Sequence, residues 1–149
     1  MKTGSHQPQL CVFGGNNSQP IFMVFAEFPS DGDIKRSIMR GAGNRIKDLM
    51  PDAEEVYLIS EAWMSEPIDK NKYKKGDFIM PRNDPERKEV LLINAKDIKN
   101  DKNYFRIYNM IRDDKGNLIE LTEKKLPTKN DTVSYLLEAF MFGYYQKQL

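Results

Sequence analysis

The sequence predicts an α+β domain: a mainly antiparallel sheet of five to six strands with two helices packed on it. Three observations lead there. Short apolar, β-prone runs are separated by brief turn-forming clusters, only two stretches carry a helical period, and strands and helices do not alternate as a parallel sheet requires. The expected element order is β-β-α-β-β-β-β-α.

Leu10 to Phe13 and Ile21 to Phe28 are apolar runs on either side of Gly14-Gly15-Asn16-Asn17-Ser18, a cluster that favours chain reversal, so they form a hairpin. Ile21 to Phe25 is apolar at every position, which predicts a strand covered on both sides in the middle of the sheet. Asp31 or Asp33 then caps a helix whose Ile34, Ile38, Ala42, Ile46 and Leu49 recur at three- and four-residue steps and make one buried stripe. Pro51 closes it. Gly41 and Gly43 weaken this helix by up to about 1 kcal/mol each relative to Ala, and they permit close packing on the sheet.

Val56 to Met64 is the next strand. Ser65 to Arg87 follows with no sustained period, a connection longer than the roughly 12 to 15 residues usual in compact domains, and such loops often hold sites. Val90 to Ile93 is a further strand, and Tyr104 to Arg112 and Leu118 to Leu126 flank the hairpin turn Asp113-Asp114-Lys115-Gly116-Asn117. Asn130 or Asp131 caps a last helix, with Val133, Leu136, Leu137, Phe140, Met141 and Tyr144 on one side to cover the sheet. This order resembles that of profilin-like and roadblock-like domains, a likeness that implies no function.

At 149 residues the chain fits one core, assigned to residues 10–149; residues 1–9 are polar, include Gly4-Ser5-His6, and read as disordered or vector-derived. Lys and Arg number 23 against 22 Asp and Glu, so no basic excess points to nucleic acid. Cys11 is the only cysteine, which excludes an intrachain disulfide and suits a reducing cytoplasm. No apolar run reaches the roughly 18 residues of a membrane span, and no signal core follows the N-terminus, so a soluble cytoplasmic protein is expected.

The most distinctive segment is Val56-Tyr57-Leu58-Ile59-Ser60-Glu61-Ala62-Trp63, followed by Asp84-Pro85-Glu86-Arg87-Lys88-Glu89-Val90. It resembles a pattern in small microbial and phage proteins, in which a Ser-Glu-Ala-Trp strand end and a variable loop precede Asp-Pro-x-Arg-x-Glu-Val. The resemblance spans roughly residues 54 to 96 and implies no activity.

Alternation places Tyr57, Ile59, Glu61 and Trp63 on one strand face, so Glu61 falls among large apolar groups and needs a partner. Arg87 or Arg112 can supply it. The first reading is a structural ion pair anchoring the long loop, with Trp63, Arg87 and Arg112 as its binding neighbours. The second is a carboxylate site at the loop mouth. Its sharpest form sets Pro51-Asp52 against Glu86-Arg87-Lys88, imitating the Pro-Asp, Glu-x-Lys pattern of Mg²⁺-dependent nucleases, with Asp52, Glu61 and Glu86 as carboxylates and Lys88 to activate water. Lys70, Lys72, Lys74 and Lys75 beside Tyr73 and Phe78 suggest a nucleic-acid contact, but the acidic residues of the same loop nearly balance them.

His6, the only histidine, lies in the excluded N-terminal stretch, so histidine bases and triads have no supplier. Neither a four-ligand zinc set, a Walker loop nor a dinucleotide fingerprint is present. Cys11 reads as a small buried strand residue. Phe140, Phe142, Tyr144 and Tyr145 occupy more than one face of the last helix, which permits a homo-oligomer through that helix. The expected function is a non-catalytic binding or assembly domain of microbial, phage or mobile-element origin, without cofactor or resident metal. The alternative is the Mg²⁺-dependent nuclease.

Overall fold

Asp31 starts the first helix by chemistry its sequence announces: its carboxylate accepts from the Asp33 and Ile34 backbone N–H groups at 2.9 and 3.1 Å. Asp33 lies inside the first turn and pairs with Arg36 at 3.0 Å. In the computed structural model, which describes residues 8–15, 19–25, 29–64, 88–124 and 134–146, this helix, α1, runs Gly32–Leu49. The strands are β1 (Gln9–Gly14), β2 (Ile21–Val24), β3 (Ala53–Met64), β4 (Lys88–Asp97), β5 (Lys102–Arg112) and β6 (Leu118–Lys124), and the second helix, α2, is Tyr135–Tyr145. The class is α+β: the described residues form one six-stranded sheet, order β2-β1-β3-β4-β5-β6, antiparallel at every step, with two helices.

Strand alternation gives the sheet two different faces. Leu10 and Val12 register with Leu58 and Val56, and all four are buried under Met39, Ala42 and Ile46 of α1 and Leu137, Phe140 and Tyr144 of α2 in one core. The β2–α1–β3 connection joins two strands that both run antiparallel to β1 between them, so it crosses over β1 and lays α1 on that face.

Three sequence expectations change. The strand from Ile21 is not central but at the sheet edge, where Ile21 and Met23 pack on the core while Phe22 and Val24 stay 67% and 55% exposed. Apolar residues on both sides implied two covered faces, and only one is covered by described elements. The buried stripe of α1 is Met39, Ala42, Gly43 and Ile46, with Ile34 and Leu49 half exposed, because the stripe serves α2 as well as the sheet. Gly43 therefore packs on a helix rather than on the sheet: a Cβ there would sit 2.0 Å from the Phe140 carbonyl oxygen, while Gly41 faces open space.

The observed cap of α2 is Ser134, whose hydroxyl accepts from Leu137 N–H at 3.4 Å; Asn130, Asp131 and Val133 lie outside the described residues. Tyr144 fixes the other end. Its hydroxyl accepts from Ala53 N–H at 3.0 Å and lies 2.8 Å from the Pro51 carbonyl and 3.0 Å from that of Met50, tying α2 to the turn between α1 and β3. No described helix is long and apolar enough to cross a membrane.

Candidate functional site

Alternation along β3 sends Tyr57, Ile59, Glu61 and Trp63 to one face, as the sequence predicts, and that face is the one away from the helices. The register adds Phe22 and Cys11 beside Tyr57, then Ala95 and Tyr104, in one row across five strands. Further along lie Ile59, Ile93 and Arg106, then Glu61, Leu91, Tyr108 and Glu123. Phe13 meets the Tyr57 ring edge-on, with centroids 5.6 Å apart. The Tyr57 hydroxyl donates to Glu55 at 3.0 Å, and burial first, then that carboxylate, pushes its phenol above the usual tyrosine range. Cys11 is buried, as expected of it, and desolvation raises its thiol.

Arg112, one of the two partners the sequence suggests for Glu61, pairs with Glu89, and Arg87, the other, lies outside the described residues. Arg112 grips Glu89 in bidentate fashion, Nε to Oε2 at 2.8 Å and Nη2 to Oε1 at 2.9 Å, and donates from Nη1 to the Gly116 carbonyl at 3.0 Å. The Glu89 side chain is only 9% exposed. The bonds to Glu89, and then its charge, hold the Arg112 guanidinium above its ordinary pKa, and Glu61 adds a weaker attraction. Glu89 escaped the sequence reading because only the register, which sets it opposite Trp63, shows that it shares a face with Glu61.

Glu61, Trp63 and Arg112 are thus brought to one face. The other described candidates are not. Asp52 lies in the turn before β3, nine positions from Glu61, and strand rise makes that roughly 30 Å, far beyond the roughly 2.5 Å reach of a shared cation. Lys88 registers with Met64 on the opposite face from Glu61. Glu86, Arg87 and the lysine-rich stretch at 70–75 fall outside the described residues. Among the described residues no three His, Cys, Asp or Glu side chains form a metal-holding group.

The face offers aromatic and aliphatic side chains bordered by ion pairs. No protein-family model, curated relative or solved structure matches the chain.

Proposed function

We propose that this chain is a non-catalytic binding or assembly domain that works through the sheet face opposite its helices. One observation carries the reading: no described element covers that face, and Phe13, Phe22, Trp63 and Tyr104 stand exposed on it. Contiguous apolar surface of this kind costs solubility and marks interaction sites. The Ser60-Glu61-Ala62-Trp63 strand end fits a microbial, phage or mobile-element origin, and Cys11 as a lone buried thiol suits the cytoplasm.

Charge argues against nucleic acid as the partner. The described part of the face holds three cations (Lys102, Arg106, Arg112) against five carboxylates (Glu55, Glu61, Glu89, Asp97, Glu123), and a phosphate backbone needs the reverse balance. Assembly through α2 is the second reading, favoured by the exposed Phe142 and Tyr145.

The test is a cleavage assay on DNA and RNA with Mg²⁺ or Mn²⁺, run with a thermal-shift screen of the same metals and of nucleotides, on the wild type and Glu61→Gln. The expected result is no cleavage and no ligand-dependent rise in unfolding temperature. Metal-dependent cleavage abolished in Glu61→Gln would overturn the proposal in favour of the nuclease.

A further inference from the structure

The central row of the open face alternates large and small side chains across five strands: Phe22, Cys11, Tyr57, Ala95, Tyr104. Cys11 and Ala95 are buried at the bottom of this relief, whereas Phe22 and Tyr104 rise into solvent. Ridges next to grooves of matching width are what two sheets need to interdigitate face to face. The row carries no charge. Around it the cations already have acids: Arg112 with Glu89, Arg106 with Glu123 at 3.4 Å, and Lys102 beside Asp97, whose carboxyl it helps to lower.

Area agrees with this pattern. Aromatic side chains each present about 150–250 Å², so Phe13, Phe22, Trp63 and Tyr104, at 39, 67, 41 and 41% exposed, leave roughly 300–450 Å² in water. Val24 and Leu121 on the same face extend it. One side of a standard interface covers about 800 Å², of which somewhat over half is apolar. The face supplies that apolar share.

We infer that the partner is a second copy of this chain, packed sheet on sheet through the row from Phe22 to Tyr104. An isologous contact requires only that one patch complement itself, which an uncharged row of alternating ridges and grooves does. The aromatic surface of α2 competes less well, because cations of α1 already lie on its rings: Arg36 is 5.0 Å from the Tyr135 centroid and Arg40 is 5.3 Å from that of Phe142. The inference rests on the binding-domain reading and names its partner.

Light scattering coupled to size-exclusion chromatography, run on the full chain over a range of concentrations, tests it. The expected mass is that of two chains at the high end. Phe22→Glu and Tyr104→Glu each weaken self-association by about tenfold or more, and Phe142→Glu leaves it unchanged. Circular dichroism melts check that the variants fold. Should either fail to fold, the wild type still decides: Trp63, the only tryptophan, becomes less accessible to acrylamide quenching as concentration rises. A single-chain mass with concentration-independent quenching overturns the inference, as does a dimer indifferent to both sheet variants or dissolved by Phe142→Glu. A dimer dissolved by Phe142→Glu moves the contact to α2, the second reading above; the other outcomes leave the binding-domain reading standing, and it falls with metal-dependent cleavage.

Discussion

Gly43 and Gly143 each make room for the backbone of the opposite helix: a Cβ on the first would lie 2.0 Å from the Phe140 carbonyl oxygen, and one on the second 2.0 Å from that of Arg40. The two helices cross backbone to backbone at this point. Gly43→Ala and Gly143→Ala therefore each force the helices apart and lower unfolding free energy in urea by about 3 kcal/mol, the upper range for overpacking. Gly41→Ala is the control, since its Cβ meets nothing within 4 Å, and it raises stability by about 0.5–1 kcal/mol through helix propensity.

Tyr144→Phe removes a hydroxyl and nothing else. The buried Ala53 N–H then loses its acceptor, and the Met50 and Pro51 carbonyls lose a neighbouring donor group. Chemical denaturation is expected to report a loss of about 1–3 kcal/mol with an unchanged denaturant slope.

Two ion pairs on the open face differ in shielding and should differ in effect. Glu89 is almost enclosed and bidentate to Arg112, whereas Arg106 and Glu123 are both well exposed. Glu89→Gln lowers the melting temperature clearly, and Glu123→Gln leaves it nearly unchanged. Equal melting curves for the two variants would contradict this ranking.

Acid should expose two turn carboxylates. Asp113 accepts from the Asn117 and Lys115 N–H groups at 2.8 and 2.9 Å, and Asp97 accepts from the Asn100 side chain and backbone at 2.8 and 3.1 Å. For Asp113 the Asn117 backbone bond, and for Asp97 the Asn100 side-chain bond, is the main cause holding the carboxyl below its usual range. A depressed folded-state pKa stabilises above the unfolded value, about 3.9 for Asp, and that stability is lost as pH falls through the folded value. Melting temperature measured against pH thus drops below about pH 4, and Asp113→Asn makes the drop shallower.

Cys11 gives a kinetic readout of the same sheet. Burial keeps its thiol protonated and enclosed, so an aromatic disulfide reagent at mildly alkaline pH reacts slowly with the native protein and fast after denaturation. Rapid native labelling would show that β1 opens easily.

Periodicity and turn chemistry carried most of the fold into view. Asp31 as a cap, the Asp113–Asn117 hairpin and the shared face of Tyr57, Ile59, Glu61 and Trp63 are local features, legible from neighbours along the chain. The edge position of Ile21–Val24 was not legible, because an apolar run looks the same whether its outer face is covered or merely available. The Glu89–Arg112 pair and the Gly43–Gly143 crossing depend on register and helix contact between distant segments, which no local pattern encodes.

The bond from Ala53 to Tyr144 closes a loop with a sequence separation of 91 residues. The strands of the β3–β6 half can pair with near neighbours as soon as they exist, while Leu10, Val12, Val56 and Met39 wait for Phe140 to cap them. On a ribosome this order is imposed by synthesis. The emerging chain holds an assembled sheet with an unfinished apolar floor until α2 is free, and in that interval the floor stays open to water.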